Sequence, residues 1–112
     1  MSNKNLNPDW LNRSLFPFTS RTLEIEGNTV HYIDEGKGPV LLLLHGNPTW
    51  SFLYRHIVMH LSAHFRCIAL DYPGFGLSTA RQDYNFTPEE HSHVVEQVVE
   101  QLGLTNIYIM VQ

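Results

Sequence analysis

The chain has 112 residues, of which 43% are hydrophobic and 16% charged, a globular composition that fits one domain or part of one. Its formal charge of −4 and its lack of any Lys/Arg cluster argue against a nucleic-acid or anionic-membrane surface. The amino terminus has no apolar stretch of signal-peptide length, and the longest apolar run, 39–44, is too short to cross a bilayer. We therefore expect a soluble cytoplasmic protein, in which the single cysteine, Cys67, is a small buried hydrophobe.

The chain divides into residues 1–20 and residues 21–112. The first part is rich in Asn, Ser and Pro and predicts a segment that wraps the surface, held by Trp10, Leu11, Leu15, Phe16 and Phe18. The second part opens with alternating polar and apolar residues, 21–26, which predict a strand. Gly27-Asn28 is a turn dipeptide, and Val30, Tyr32 and Ile33 follow in a second strand, so the pair predicts a β-hairpin.

Three apolar runs without alternation, 40–44, 66–70 and 107–111, predict strands buried on both faces of a parallel sheet. A helix over about 51–62 is expected between the first two, with Phe52, Leu53, Ile57, Val58 and Leu61 on its apolar side. A second helix is expected to begin at the N-cap Thr87, with Pro88 at its first position. A Glu in its first turn can complete a capping box, and Gly103 is expected to end the helix. It should bury Val94, Val95, Val98, Val99 and Leu102.

This order of elements predicts an α/β fold: an antiparallel hairpin, then mostly parallel buried strands with helices on both faces. The last strand lacks a following helix, so an apolar face and a sheet edge should lie open. Ligands of such sheets bind beyond the carboxyl ends of the parallel strands. Three segments follow these strands and are the candidate ligand-binding segments: the loops 46–50 and 72–78, and whatever follows Gln112.

The residues of these loops identify a family. HGNPTWSFLYR at 45–55 and DYPGFGLS at 71–78, with HYIDEGKGPVLLLLHG at 31–46, closely resemble the haloalkane dehalogenases, enzymes with the α/β-hydrolase fold. The likeness runs from about Pro8 to Gln112, which is well under half of such an enzyme. It implies that 21–112 is the first portion of the core domain, without the cap domain and the second half of the core.

The resemblance implies hydrolysis of a carbon–halogen bond through an alkyl ester on an Asp nucleophile, with water as co-substrate and neither cofactor nor metal. Asn47 matches the Asn whose side chain stabilises the halide and whose backbone N–H forms half of the oxyanion hole. From the residues alone, Asn47 is a turn residue that caps the next helix. Its peptide bond to Pro48 is expected to be either cis, as in relatives, or trans.

The family pattern places the nucleophile directly after the position of Gln112. The Trp halide donor, the second acid, the catalytic His and the cap would follow it, so this chain alone is expected to be inactive. The partners expected are a small halogenated hydrocarbon, water, halide ion and the remainder of the same enzyme. In one alternative, that remainder is a second polypeptide chain.

Several other residues have a possible catalytic or metal-binding role, and for each of them we expect a structural role instead. We expect His45 to hold its loop by hydrogen bonds rather than to act as a base. Asp71 could be a catalytic acid, but the family resemblance implies that it organises the loop that contains Gly74 and Gly76. His56, His60 and His64 have metal-stripe spacing on a helix, but a partly solvated face is expected. His91 and His93 should point in different directions, and the expected solvated helix face comprises Glu89, Glu90, Glu96 and Glu100.

Three alternatives to a dehalogenase remain. An epoxide hydrolase shares the Asp nucleophile but usually has an aromatic residue at the position of Asn47. Certain luciferases also resemble dehalogenases closely. From a different class, the chain is a non-catalytic fragment that must pair with a second chain. The residue after Gln112 separates these readings most cheaply, because Asp followed by Trp supports a dehalogenase and Ser excludes it.

Overall fold

The computed structural model describes residues 6–112. Five strands form one mixed sheet in the order β1-β2-β4-β3-β5, in which β3 is parallel to both of its neighbours. The elements are β1 (Arg21–Ile25), β2 (Asn28–Glu35), β3 (Val40–Leu44), a 3-10 turn (Ser51–Tyr54), α1 (Arg55–Leu61), β4 (Arg66–Leu70), α2 (Pro88–Gln101) and β5 (Tyr108–Val111). The predicted α/β architecture, a hairpin followed by parallel strands and crossover helices, is confirmed.

The hairpin of β1 and β2 forms as predicted, but its turn lies one residue earlier. Ile25 pairs with Asn28, so the turn residues are Glu26 and Gly27, with φ of 48° and 87°. Positive φ at both central residues is the geometry that two-residue hairpins favour. Asn28 is instead a buried strand residue, whose side chain donates to the Ile25 carbonyl and accepts from the backbone N–H of Arg81.

Strand β3 has no alternation because both of its faces are covered. Leu41 and Leu43 lie in one apolar cluster with Val58 of α1, whereas Leu42 lies in a second cluster with Val94 of α2. Burial of both faces removes the need for polar residues along the strand, as the sequence predicted. The two helices therefore lie on opposite sides of the sheet.

The segment 51–61 is not one continuous helix. It begins as the 3-10 turn and becomes α-helical only at Arg55. The expected apolar side was partly wrong: Leu53 is 37% exposed, whereas Tyr54 is buried and its hydroxyl donates to the Leu44 carbonyl (2.7 Å). The tighter 3-10 winding changes which side chains face the sheet, so helical spacing from residue 51 assigned the wrong face.

Helix α2 begins and ends where the sequence predicts. The Thr87 hydroxyl accepts the Glu90 backbone N–H (3.1 Å), Pro88 is the first helical residue, and Gly103 follows the helix with φ of 65°. The expected capping-box Glu does not reach back to Thr87, because the Glu90 carboxylate binds the Arg81 guanidinium instead (3.0 Å). One half of the predicted box therefore forms.

Strand β5 forms, one residue shorter than predicted, but it is not buried. Within residues 6–112 it hydrogen-bonds to β3 alone. Tyr108 is 62% exposed and Val111 67% exposed. The expectation of an open apolar face and edge is confirmed, and the expectation of a strand buried on both faces is wrong for these residues.

The amino-terminal segment packs on the α1 side of the sheet through Leu11 and Phe16, both buried. Trp10 is 63% exposed and Leu15 is also exposed, so these two of the five expected contacts are not core residues. Arg13 donates to the Phe18 carbonyl (3.1 Å) and to the Ser20 hydroxyl (2.9 Å). Residues 1–5 of the predicted segment 1–20 lie outside the described residues. No helix in 6–112 has the length and hydropathy of a membrane span.

Candidate functional site

A cleft of about 560 Å³ lies at the edge of the sheet where the parallel strands β3 and β5 end. Both predicted loops contribute to it, with α2 forming a further wall. Its lining includes His45, Gly46, Asn47, Tyr72, Phe75, His91 and Gln112. The position beyond the carboxyl ends of the strands is the one that open α/β sheets use for ligands.

The loop after β3 brings Asn47 close to the end of β5. A Cβ built on Gly46 would lie 3.2 Å from the carbonyl oxygen of Gln112, so a glycine permits this close approach. The Asn47–Pro48 peptide bond is cis. Asn47 is exposed and lines the cleft, one residue after the contact between the two strand ends.

The helix-capping alternative for Asn47 is wrong. The 3-10 turn that follows has Trp50 at its N-cap and no side-chain capping hydrogen bond. Within residues 6–112 the Asn47 amide makes no hydrogen bond at all. Its donors are therefore available to a ligand in the cleft.

His45 holds the loop, as expected. Its Nε2 accepts the backbone N–H of Tyr72 (3.0 Å), so Nδ1 carries the proton and donates to the Gly46 carbonyl (2.8 Å). Burial lowers the pKa of His45, against smaller opposing effects of the Gly46 hydrogen bond and the Asp71 charge. A neutral imidazole with both nitrogens occupied in this way links the two loops of the cleft.

Asp71 organises the second loop and is fully buried. Its Oδ1 accepts the Ser51 backbone N–H (2.6 Å), and its Oδ2 accepts from the Leu77 backbone N–H (3.1 Å) and His31 Nδ1 (2.8 Å). A Cβ on Gly76, where φ is 52°, would lie 2.5 Å from Asp71 Oδ2. This confirms the structural role expected for Asp71. It also explains why residue 76 is a glycine, since any side chain there would collide with the Asp71 carboxylate.

A Ser–His–Asp arrangement that the sequence did not reveal lies behind the cleft. Ser20 Oγ is 2.9 Å from His31 Nε2, and His31 Nδ1 donates to Asp71. The Ser20 hydroxyl also accepts from Arg13, and none of Ser20, His31 and Asp71 lines the cleft. These residues join the amino-terminal segment to the sheet. Because they are 11 and 40 residues apart, no local pattern could have found them.

His91 and Tyr84 are further residues that sequence reasoning did not connect. Tyr84 is buried, and its hydroxyl lies 2.6 Å from His91 Nδ1. The His91 ring stacks on Tyr72 at 4.4 Å and lines the cleft. As expected, His93 points elsewhere, toward Glu26 (2.9 Å).

The residues considered as metal ligands do not form a site. Helix α1 ends at Leu61, so His64 lies beyond it, and His60 Nδ1 binds the His56 carbonyl. In the described part of the chain, no group of three or more His, Cys, Asp or Glu could hold a metal ion. Cys67 is buried as expected, and burial raises the pKa of its thiol.

Comparison with known proteins connects this geometry to a family. A family model described as the alpha/beta hydrolase fold matches residues 39–112. Haloalkane dehalogenase 2 of Mycobacterium tuberculosis is 48% identical over 98 residues, 88% of this chain and 34% of that protein. The cis-3-alkyl-4-alkyloxetan-2-one decarboxylase of Shewanella oneidensis is 38% identical over 101 residues, 88% of this chain and 32% of that protein.

A solved structure agrees with these relatives. The haloalkane dehalogenase DatA from Agrobacterium tumefaciens C58 has a TM-score of 0.77 and 32% identity, over 84% of this chain and 32% of that one. The chain thus spans about a third of the length of the relatives it matches. The resemblance to haloalkane dehalogenases is confirmed. By its sheet order, its strand-end cleft and the family match over residues 39–112, the chain belongs to the α/β-hydrolase fold family.

Proposed function

We propose that the full-length protein containing this chain hydrolyses carbon–halogen bonds of small haloalkanes, and that Asn47 binds the halide. The observation that carries the proposal is the Asn47 amide, which lacks a hydrogen bond to residues 6–112 and lines the same cleft as Gln112. An Asp after Gln112, as the family resemblance implies, would lie beside it. Similarity to haloalkane dehalogenases over 88% of the chain supports the reaction class.

The proposed reaction has two steps. The Asp carboxylate attacks the carbon that bears the halogen; a carbon–oxygen bond forms, and halide leaves with the bonding electron pair. Water, deprotonated by a His from the remainder of the enzyme, then attacks the ester carbonyl carbon. Collapse of the tetrahedral intermediate expels the alkoxide, which takes up one of the two water protons and leaves as the alcohol. The other proton is released to solvent, which restores the carboxylate and the neutral His. No electron transfer occurs, so the reaction needs no redox cofactor.

Asn47 would act in both steps. Its side-chain N–H groups donate to the departing halide, which is otherwise poorly solvated in an apolar pocket. Its backbone N–H donates to the oxyanion of the second step. The loop that presents Asn47 is fixed from behind by His45 and by Tyr54, whose hydroxyl binds the Leu44 carbonyl. Such a preorganised donor is the kind of group that stabilises charge developing in a transition state.

The test is halide release by the full-length protein from a panel of bromoalkanes and chloroalkanes. We expect release from wild type, and a loss of about 10²–10³ in kcat for Asn47→Ala, the range for removal of one oxyanion-hole donor. Asn47→Asp should lose at least as much, because a carboxylate repels halide. Asn85→Ala, at an exposed loop position outside the cleft, is the matched control and should keep wild-type activity.

Competing substrates separate this proposal from its alternatives. The panel should include an epoxide and a cis-3-alkyl-4-alkyloxetan-2-one, the substrate named for the Shewanella relative. Turnover of either without halide release from any haloalkane would overturn the proposal, as would Ser after Gln112. Wild-type halide release by Asn47→Ala would leave the reaction intact and remove Asn47 from it. The cytoplasmic setting expected from the sequence stays a prediction.

A further inference from the structure

We propose that His91 is a positioning residue for the Asn47 loop, acting through the contact between the Tyr72 and His45 rings. The inference rests on the proposed function of Asn47 and extends it to helix α2. It gives a role to a cleft-lining imidazole that the dehalogenase reaction, as outlined above, does not use.

The first link joins α2 to the loop after β4. The rings of His91 and Tyr72 are stacked, with centroids 4.4 Å apart and planes inclined by 22°. The Tyr72 ring in turn contacts the His45 ring, also at 4.4 Å, with an inclination of 53°. The rings of His91, Tyr72 and His45, which we call the ring stack, thus contact one another in series along the cleft.

The second link joins this stack to Asn47. His45 Nε2 accepts the backbone N–H of Tyr72 (3.0 Å), and its Nδ1–H donates to the carbonyl of Gly46 (2.8 Å). Gly46 immediately precedes Asn47 and touches the end of β5. A shift of the Tyr72 ring therefore changes both the His45 hydrogen bond and the backbone that presents Asn47.

The third link fixes the far end of the stack. Tyr84, which is buried, lies with its hydroxyl 2.6 Å from His91 Nδ1. Burial raises the pKa of Tyr84 to about 12, so the hydroxyl stays protonated and donates. Burial lowers the pKa of His91, with His45 acting in the same direction and Glu90 opposing. A neutral imidazole whose Nδ1 accepts a hydrogen bond from the Tyr84 hydroxyl is thus held in one orientation, which sets the plane that Tyr72 packs on.

A purely structural role for His91 makes a different prediction. If the ring only fills space, its removal lowers stability without a selective effect on the halide site. If it positions Asn47, its removal weakens halide binding and loosens the Tyr72 amide even in protein that remains folded. The two roles are separated by measuring bromide affinity and Tyr72 amide hydrogen exchange in the full-length protein.

The test compares four proteins: wild type, His91→Ala, the double variant His91→Phe/Tyr84→Phe, and His93→Ala. The double variant keeps both rings and leaves no buried hydroxyl unpaired. His93 lies two residues away on the same helix but binds Glu26 outside the cleft, so His93→Ala is the matched control. Bromide affinity is read from tryptophan fluorescence and hydrogen exchange by NMR, both under conditions in which each protein is folded.

We expect His91→Ala to weaken bromide binding and lower kcat by about tenfold to a hundredfold, the scale of a displaced active-site group. The Tyr72 amide should exchange faster in this variant. The double variant should recover both readouts only in part, because it restores a ring for Tyr72 to pack on but lacks the hydrogen bond that fixes the plane of that ring. His93→Ala should match wild type. If His91→Ala does not fold, the double variant is compared with His93→Ala. Bromide binding weaker than in His93→Ala supports the positioning role, and equal binding refutes it.

Three results would overturn the positioning role: unchanged bromide affinity in folded His91→Ala, equal losses in His93→Ala, or a double variant that binds bromide no better than folded His91→Ala. Failure of the proposed function looks different. In that case wild type itself binds no bromide and releases no halide from the panel. The Tyr72 amide then still reports whether His91 holds the ring stack: slower exchange in wild type than in His91→Ala supports it, and equal exchange refutes it.

Discussion

Asn47 and Asp71 are polar residues that follow neighbouring parallel strands at the same edge of the sheet, yet their surroundings are opposite. Asp71 is fully buried and accepts hydrogen bonds from Ser51, Leu77 and His31. Asn47 is exposed in the cleft and has no hydrogen-bond partner among residues 6–112. A polar side chain that hydrogen-bonds to other parts of the chain stabilises the fold. A neighbouring polar side chain without such bonds is suited to bind a ligand.

The largest stability effect should come from Asp71. Asp71→Ala leaves His31 and two backbone N–H groups buried without their acceptor, so we expect a loss of about 3–5 kcal/mol in the free energy of unfolding. Asp71→Asn keeps the size and one acceptor oxygen and should lose about 1–3 kcal/mol. Urea unfolding of the full-length protein measures both.

Asp83→Ala is the control for this prediction. Its carboxylate is 87% exposed and pairs with Arg81 at the surface, so its loss should cost about 0–1 kcal/mol. If Asp71→Ala is as stable as Asp83→Ala, Asp71 does not stabilise the fold, and the contrast between Asp71 and Asn47 fails.

An intermediate effect should come from the N-cap of α2, the helix that forms one wall of the cleft and contacts the loop 72–78. Thr87→Ala removes the acceptor of the Glu90 N–H and should cost about 1 kcal/mol of unfolding free energy. Ser92→Ala, at an exposed position within the same helix, should cause no loss. A Thr87→Ala protein as stable as Ser92→Ala would show that the cap is dispensable.

The contribution of His45, which joins the two loops, to the free energy of unfolding should depend on pH. Because burial lowers the pKa of folded His45 below 6.5, the unfolded chain binds a proton more readily. The stability contribution of neutral His45 is therefore complete above pH 6.5, and it is lost as the pH falls toward the pKa of His45 in the folded protein. Unfolding free energies of wild type and His45→Gln, measured from pH 8 to pH 5, should diverge in slope below 6.5. Parallel curves would contradict this.

The smallest stability effect should come from Asn47 itself. Since its side chain is exposed and makes no hydrogen bond within 6–112, Asn47→Ala should change the unfolding free energy by no more than about 0.5 kcal/mol. The same variant is expected to lose most of its activity. A stability loss comparable to that of Asp71→Asn would show that Asn47, too, holds the scaffold.

How much of this could be predicted from sequence depends on the range of the interactions. The cores of β3 and β4 follow from uninterrupted apolar runs, and α2 follows from Thr87, Pro88 and Gly103, because these signals are local. The position of the hairpin turn was missed by one residue, since Asn28 is fixed by Arg81 from 53 residues away. Tyr54 was missed because the 3-10 turn changed the winding that helical spacing assumes.

The candidate site divides in the same way. Asn47 was identified through the resemblance of its loop, whereas residue pattern alone favoured a capping role that the structure does not have. The contacts of His91 with Tyr84 and Tyr72, and of His31 with Asp71 and Ser20, exist only once the sheet is assembled. Such pairs have no spacing rule, so a single sequence cannot reveal them.

The hydrogen bonds of Ser20 bear on how this protein can be shortened. A truncation that begins at Arg21 looks safe from composition, because it starts at the first strand. It would remove the hydroxyl beside His31 Nε2, the Phe16 ring from the core, and the Arg13 guanidinium that binds Ser20. An expression boundary drawn there would leave the buried His31 Nε2 without its hydrogen-bond partner, so recombinant work should retain at least residues 6–20.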